Sequence, residues 1–230
     1  GGFNDTRGTL FYDVAEIIHH HKPQAIFLEN VKGLHNHNGG RTLSTILNVL
    51  REDLGYFVPD PEVINAKYFG VPQNRERVFI VGFRKDLKIN SFNYPKSDKI
   101  TKVLEDILEK EAVDARYYMS NQYWQTLVKH KARHASKGNG FGYEILKRDG
   151  VANAIVVGGM GRERNLVIDK RLKNFKPTTK IKGEINREGI RRLTPAECAA
   201  LQGFPAAFQF QQIVANAQSY KQFGNSVAVP

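Results

Sequence analysis

The sequence is poor in residues that stabilise secreted and membrane proteins. Its 230 residues include a single cysteine, so no disulfide can form within the chain, and a reducing cytoplasm is the expected compartment. No apolar run reaches the roughly 20 residues that a membrane-spanning helix needs, so we expect no membrane partner. The chain begins Gly-Gly-Phe without a methionine, and it is interpreted as a piece of a longer product.

Metal-binding spacings are also missing. His19, His20 and His21 end a predicted helix, where consecutive side chains point in different directions and cannot all face one ion. The run HNHN at 35–38 has no supporting acidic ligands, and no Cys/His spacing typical of zinc sites occurs. The sequence therefore predicts no metal site.

Positive charge, by contrast, is abundant and unevenly distributed. The chain carries 34 Lys and Arg against 23 Asp and Glu, a net charge of +11. Residues 116–192 contain 18 basic and 6 acidic residues, so this segment carries the whole excess. A concentrated positive field suits a polyanion such as nucleic acid, whereas an ordinary solvated basic surface is the alternative.

Helix and strand patterns alternate in the first third of the chain. Apolar residues at helical spacing predict helices at 9–22 and 42–54, and β-type runs predict strands at 24–29, 62–68 and 77–83. This alternation indicates a layered α/β domain with a largely parallel sheet.

The character of the sequence changes after Arg84. Residues 101–130 are expected to hold one or two short helices. Residues 131–192 are expected to form a small irregular β module, with β-like runs at Ala154–Val157 and Leu166–Ile168. Regular structure returns after Thr194, because Thr-Pro-Ala-Glu is a capping box with proline at the first helical position.

Glu29 stands where an apolar run stops. Ala25, Ile26, Phe27 and Leu28 predict a strand that is buried on both faces, and Glu29 follows them directly. A charge at such a position is costly unless it is paired or used, although the strand can also simply end with Glu29 facing water. The residues alone leave both interpretations open.

A pair of arginines begins the strand predicted at 77–83. Arg75 and Arg77 lie two residues apart, so their side chains should project from the same face. Two guanidinium groups on one face suit a phosphate or a polarised carbonyl, and an ordinary ion-paired strand edge is the alternative.

Five motifs occur in one order along the chain. They are DTRGTLF at 5–11, ENV at 29–31, PQNRERVFIVGFR at 72–84, RRLTPAECAALQGFP at 191–205 and QFGNSVAVP at 222–230. In this order and spacing they resemble the later motifs of the C5-cytosine DNA methyltransferases, of the bacterial restriction–modification type. The basic middle segment falls where that family keeps its target-recognition region.

The resemblance implies a fold, a reaction and a set of domains. The fold would be α/β, a partial Rossmann-like methyltransferase domain with a smaller, irregular, β-rich target-recognition domain. The catalytic α/β domain would span 1–95, the target-recognition domain 96–190, and 191–230 would return to the catalytic domain. The reaction would methylate C5 of a cytosine flipped out of double-stranded DNA, with S-adenosylmethionine as methyl donor, in the bacterial cytoplasm.

The resemblance also implies roles for residues of the base pocket. In the family a thiolate adds to carbon-6 of the cytosine, which requires ring nitrogen N3 to be protonated or strongly hydrogen-bonded. A carboxylate at a dry strand end can supply that bond, so Glu29 would hold N3 and N4 of the flipped base. Arg77 would contact the cytosine O2, and Arg75 would support the same pocket.

Four residues are expected at the cofactor by the same resemblance. Leu10, at the start of the first helix, would pack on the adenine, although an apolar residue there is also ordinary core. Asn225, with Ser226 and Val227 beside it, would bind the methionine end. The segment 223–227 is expected to be a tight loop leading into a helix, with Gly224 permitting close backbone approach.

The family's nucleophile, a cysteine in a Pro-Cys motif, does not occur among these residues. Cys198 lies in the predicted capped helix and is interpreted as a small buried hydrophobe rather than the nucleophile. We therefore expect this chain alone to lack methyl transfer and to need the missing N-terminal part of the same enzyme or a complementing subunit. A non-catalytic, sequence-specific DNA-binding fragment is the alternative, as is one subunit of a split methyltransferase.

DNA contacts are expected from the basic middle segment. Its glycine-rich turns, KGNGFG at 137–142 and VGGMGRER at 157–164, allow the backbone and arginine to approach a groove closely. Arg162 and Arg164 are the candidates for guanine or phosphate contact, with a flexible loop that touches only phosphates as the alternative.

Overall fold

The computed structural model describes residues 6–157, 161–173, 184–205 and 215–229. Contacts within the chain divide it into two compact units, the first made of residues 1–65 and 76–97 and the second of residues 66–75 and 98–230. Compact units are not functional domains, so the boundaries expected at 95 and 190 stay a prediction.

The first unit contains two α-helices and four strands among its described residues. The elements are α1 (Thr6–His21), β1 (Ala25–Val31), α2 (Arg41–Asn48), β2 (Tyr56–Phe57), β3 (Glu62–Asn65) and β5 (Glu76–Arg84). One turn of π-helix, Val49–Asp53, extends α2, so the helix predicted at 42–54 is confirmed as two joined pieces. Leu54 is the C-cap residue, and Gly55 after it, with a φ of 72°, ends the helical run.

The sheet of the first unit is antiparallel, which corrects the expectation of a largely parallel sheet. β5 pairs with β1 on one side and with β2 and β3 on the other, and it runs antiparallel to all three. β1 and β3 therefore share one direction, as the helix between them implied, but β5 separates them. The order of helices and strands along the chain predicts that β1 and β3 run in the same direction. It does not predict that a later strand, β5, is inserted between them.

β1 is buried on one face only, which corrects the expectation of burial on both. Ile26 is 5% exposed and packs against α1 and α2, whereas Phe27 is 64% exposed. The Phe27 ring stacks on Phe79 of β5, with centroids 5.4 Å apart. An unbroken apolar run does not distinguish a strand covered on both faces from one that presents an aromatic side chain to a recess.

The core of the first unit lies between the sheet and its two helices. The amphipathic pattern predicted this, because the residues that recur at helical spacing are those that become buried. The buried cluster consists of Ile18, Ile26, Leu43, Ile46, Leu50, Tyr56, Val58 and Ile80.

The second unit holds short strands and three α-helices among its described residues. The elements are β4 (Gln73–Asn74), α3 (Asn121–Ala135), β6 (Ala152–Asn153), β7 (Leu166–Ile168), β8 (Ile190–Arg192), α4 (Pro195–Leu201) and α5 (Asn216–Asn225). The strand predicted at Leu166–Ile168 is confirmed. The one predicted at Ala154–Val157 is wrong, because β6 ends at Asn153, where it pairs in parallel with β4.

Helix α4 begins as its capping box predicts. The Thr194 hydroxyl accepts from the Glu197 backbone N–H at 3.1 Å, and the Glu197 carboxylate accepts from the Thr194 N–H at 2.8 Å. Cys198 follows at 4% exposure inside the apolar cluster of this unit, so its interpretation as a buried hydrophobe is confirmed.

Arg191 of β8 is fully buried and bound by two carboxylates. Its guanidinium donates to Asp169 at 2.9 Å and to both oxygens of Glu197 at 2.8 Å, so it ties the strand pair β7–β8 to α4. Removing one member of such a network leaves a buried charge without its partner, which is strongly destabilising.

Membrane-spanning elements are not found among the described residues. None of the helices in these ranges is both long and apolar enough to cross a bilayer.

Candidate active site

A recess of about 340 Å³ opens at the end of β1 in the first unit. This volume lies within the range of roughly 300–1,000 Å³ typical of small-molecule sites. Its walls come from α1, β1, α2, β5 and the 3₁₀ turn Lys32–Asn36, and they are apolar except for Thr42 on α2 and the residues near the carboxyl end of β1. The lining residues are Leu10, Phe11, Val14, Phe27, Leu28, Glu29, Asn30, Leu34, Thr42, Ile46 and Ile80.

Glu29 lines this recess and pairs with Arg77. In the β1–β5 ladder Glu29 faces Phe79 and Val31 faces Arg77, so Glu29 and Arg77 are diagonal neighbours on one face of the sheet. The Nε of Arg77 lies 2.8 Å from Oε1 of Glu29, and their side chains are only 17% and 22% exposed. Sequence reasoning expected both residues in one pocket, and the structure brings them into contact.

Arg75 belongs to the second unit and contacts its backbone. It lies one residue before β5, is 4% exposed and donates to three backbone carbonyls of the second unit, those of Ile155, Gly224 and Ser226. The shortest of these bonds, to Ser226, is 2.7 Å. The guanidinium therefore fastens the backbone of the segment that was expected to bind the cofactor.

The segment 223–227 ends a helix, which corrects the expected loop leading into one. α5 runs to Asn225, and Ser226 then adopts an extended backbone with its hydroxyl donating to Phe223 O at 2.9 Å. Close approach at Gly224 is confirmed, because a Cβ there would lie 2.7 Å from a methyl of Val157. Asn225 and Val227 are exposed, so their side chains are accessible to a ligand.

The side chain of Leu10 is accessible to a ligand, whereas an ordinary core residue would be buried. It is 64% exposed on α1 and borders the recess that Glu29 also lines. Phe27 is equally exposed at the same recess, and sequence reasoning had assigned it to the core. No sequence signal separates Phe27 from its buried neighbours, because β1 lacks polar alternation.

Cys198 is unsuited to nucleophilic chemistry. Burial, and then the nearby charge of Glu197, raise the pKa of its thiol well above the ordinary range. The reactive species of a cysteine is the thiolate, which this environment disfavours.

The two arginines proposed for DNA contact lie in the turn Gly161–Arg164. The side chain of Arg162 lies outside the described residues, and that of Arg164 is exposed. Glu163 between them is 3% exposed and accepts from Arg192 at 2.7 Å and from the Tyr123 hydroxyl at 3.1 Å. This buried carboxylate, which sequence reasoning missed, anchors the turn.

Metal ligands do not cluster in the described part of the chain. Within these ranges no group of three or more His, Cys, Asp or Glu residues is arranged to hold an ion.

Comparison with known proteins matches the whole chain to one family model and to several relatives. The family model described as C-5 cytosine-specific DNA methylase matches residues 1–230. The chain is 68% identical to the type II methyltransferase M.HpaII of Haemophilus parainfluenzae, over 100% of this chain and 64% of that protein. It is 42% identical to M.DsaV of Dactylococcopsis salina, over 99% of this chain and 60% of that protein. The chain thus spans about 60% of the length of these two relatives.

Solved structures share the fold at low sequence identity. A methyltransferase of Entamoeba histolytica, EhMeth, superimposes with a TM-score of 0.69 at 18% identity, covering 98% of this chain and 66% of that one. A mutant DNMT2 of Spodoptera frugiperda gives 0.67 at 20% identity, covering 99% and 70%. These likenesses confirm the expected α/β, Rossmann-like methyltransferase fold class.

Proposed function

The chain belongs to the family of C-5 cytosine-specific DNA methylases, and we propose that the full-length protein methylates C5 of cytosine in double-stranded DNA. The observation that carries the proposal is the contact between Glu29 and Arg77 at an otherwise apolar recess. A base inside a duplex cannot reach such a recess, so the target cytosine is flipped out of the stack, at a cost of a few kcal/mol.

Glu29 is the catalytic acid in this proposal. Its carboxyl group hydrogen-bonds N3 and N4 of the flipped cytosine, and protonation at N3 makes carbon-6 open to nucleophilic attack. The Nε of Arg77 lies 2.8 Å from Oε1 of the Glu29 carboxyl group, and part of the Arg77 fork of donors remains for the cytosine O2. Apolar side chains line the recess beside Glu29, and such less polar surroundings strengthen each of these bonds.

Arg75 is a positioning residue in this proposal rather than a group that touches the base. Three backbone carbonyls engage its guanidinium, one of them that of Ser226. It therefore holds the backbone around Asn225, Ser226 and Val227 in place.

S-adenosylmethionine is the proposed methyl donor, and the residues present fit its chemistry. Leu10 and Phe27 offer exposed apolar surface at the recess, which suits the flat face of an adenine. Asn225, Ser226 and Val227 are proposed to bind its methionine end, where an amide and a hydroxyl can pair with the amino acid group. When bound, this cofactor supplies an electrophilic methyl group on a positively charged sulfur.

The nucleophile is proposed to come from outside these 230 residues. Cys198 is the only thiol in the chain, and burial raises its pKa. The remainder of the full-length enzyme, or a complementing subunit, would supply the cysteine that attacks carbon-6.

DNA binding is proposed for the basic segment at 116–192, with Arg162 and Arg164 as contacts. The relatives named type II methyltransferases come from bacteria. We therefore place the protein in the bacterial cytoplasm, as the modification enzyme of a restriction–modification system.

A labelled-methyl transfer assay on the full-length protein tests the proposal. The protein is incubated with duplex DNA and S-adenosylmethionine that carries a labelled methyl group, and the DNA is then digested to nucleosides. We expect the label in 5-methylcytosine. DNA that is bound but unlabelled would instead support the non-catalytic DNA-binding alternative, and label on another base would exclude the proposed chemistry.

A further inference from the structure

Helix α3 carries a concentrated positive charge that the base pocket does not use. The Ser120 hydroxyl caps its start by accepting from Tyr123 N–H at 3.2 Å, and Trp124 and Leu127 bury its apolar side. Between Ala115 and Tyr143 the sequence contains no aspartate or glutamate. The basic residues from Lys129 to Lys137 therefore have no acidic neighbour in sequence.

Two of these basic residues share one side of the helix, and a third lies in the turn that follows it. Lys129 and Arg133 on α3, and Lys137 in the turn that follows, are spaced by four residues, and all three are exposed. Spacing by four puts residues on a common face, with neighbouring α-carbons roughly 6 Å apart along the axis. We call these three residues the basic stripe.

The basic stripe is costly for the protein by itself. Like charges four residues apart on a helix, such as Lys129 and Arg133, repel each other and destabilise the helix. None of the ion pairs recorded for the described residues involves Lys129, Arg133 or Lys137. An external anion would offset the repulsion.

The helix dipole explains only part of the arrangement. Cations stabilise the last turn of a helix, and the effect fades beyond that turn. Arg133 and Lys137 lie at or just beyond the end of α3, which is Ala135, but Lys129 is more than one turn away from it. The length of the stripe therefore exceeds what the dipole accounts for.

Lys131, on the same helix, differs from the basic stripe because it has a structural role within the protein. Its ammonium donates to Tyr143 O at 2.9 Å and lies 4.5 Å from the centre of that ring. A Cβ on Gly142 would lie 2.8 Å from its stem, so the loop after α3 is pressed against it. That loop holds Phe141 at 68% exposure, with its ring 5.8 Å from that of His134.

We propose that the basic stripe, Lys129, Arg133 and Lys137, is a docking surface for the phosphate backbone of duplex DNA, with Phe141 in apolar contact beside it. The inference rests on the proposed function and adds an element that positions the DNA. Contacts to phosphate groups fix the orientation of the duplex and carry no sequence information directly.

Salt-dependent DNA binding by the full-length enzyme tests the basic stripe. The triple variant Lys129→Gln, Arg133→Gln, Lys137→Gln is compared with Lys88→Gln, Lys102→Gln, Lys110→Gln, which removes the same charge from exposed lysines elsewhere. Dissociation constants are measured by fluorescence anisotropy over a range of salt concentrations. One duplex contains the site that the enzyme methylates, and the other has an unrelated sequence.

The stripe variant should bind both duplexes more weakly by a similar factor. Each lost phosphate contact should lower the slope of log K against log salt by about 0.9. The control triple should keep the wild-type slope. Phe141→Ser should weaken binding and leave the slope unchanged, because it removes an apolar contact.

Equal slopes for the stripe variant and the control would overturn the proposal, and the stripe would then be free or serve another partner. A stripe variant that weakens binding to only one duplex would also contradict it, since phosphate contacts are independent of sequence. Methyl transfer by the wild-type enzyme, measured in parallel, keeps the two questions apart. If the wild-type enzyme methylates DNA and the stripe variant binds DNA with wild-type affinity, the docking proposal is refuted and the proposed function is not.

Discussion

Glu29 owes its position to the residues around it on two strands. The β1–β5 register makes it a diagonal neighbour of Arg77, and the Phe27 ring flanks it on the same strand. The sequence singled out this carboxylate, because a charge directly after an apolar run is costly unless it is paired, but the residues alone left a Glu29 that faces water equally open. It did not separate Arg77 from Arg75, because strand periodicity places both on one face.

The separation of the two arginines has a local cause. Arg75 lies outside β5, in a turn where its N–H donates to Gln73 O at 2.9 Å. Gln73 itself belongs to β4, which pairs with β6 instead of with β5. Strand periodicity therefore does not extend back to Arg75, and residue spacing could not reveal this.

Arg77→Ala in the full-length enzyme should lower kcat roughly 10²-fold, as the loss of one charge-stabilising donor does. Arg77→Lys should recover part of this rate, because it restores the charge without the fork of donors. Steady-state kinetics on duplex DNA provide the measurement. Arg84→Ala, which removes an ion pair at the other end of β5, serves as the control and should keep kcat. Equal losses in both variants would mean that Arg77 only stabilises the strand.

Short elements were predictable where a local motif determines them. The capping box at Thr194 predicted the start of α4, because both of its hydrogen bonds lie within four residues of sequence. The end of α5 was not predictable, because Gly224 continues the helix instead of breaking it. A glycine is needed at this helical position because Val157 packs against it, and no local sequence pattern reveals that tertiary contact.

The turn after α4 offers a prediction at this scale. Gly203 has a φ of 81°, and a Cβ there would collide with the carbonyl of Val229. Gly138 has a φ of 74° with open space around it, so it is a matched control for backbone strain. Gly203→Ala should lower the free energy of unfolding by roughly 2 kcal/mol more than Gly138→Ala. Urea denaturation measures the difference, and equal effects would show that the Val229 segment moves aside freely.

The distribution of charge is the feature of the whole molecule that the sequence predicted best. The basic excess of 116–192 needs no structure to be counted, and α3 displays part of it on one exposed face. Burial of charge was not predictable. Arg191 and Asp169 lie 22 residues apart, and their pairing follows from the β7–β8 register and the docking of α4.

Stability at acidic pH should depend on Asp169. Burial alone would raise the pKa of its carboxyl group, but hydrogen bonds from Arg171 and Arg191 outweigh that effect and hold it well below the ordinary range. The ion pairs therefore contribute full stability above the unfolded pKa of about 3.9, and this contribution is lost as pH falls through the lower, folded value.

Asp169→Asn tests this dependence on pH. The difference in unfolding free energy between wild type and Asp169→Asn should be constant near neutral pH and shrink below about pH 4. Chemical denaturation at several pH values measures it, with the exposed Asp60→Asn as a control. A difference that does not vary with pH would show that Asp169 stabilises by shape and not by its charge.

The rate of methyl transfer by Glu29→Gln, measured in a single turnover beside its DNA affinity, shows whether Glu29 is the catalytic acid. Gln keeps the size of the side chain but cannot donate a proton to N3, so the rate should fall roughly 10²-fold or more, while the dissociation constant for DNA stays near the wild-type value. Glu76→Gln, on β5 but outside the residues that line the recess, should change neither. A Glu29→Gln enzyme that transfers methyl groups at the wild-type rate would contradict the account.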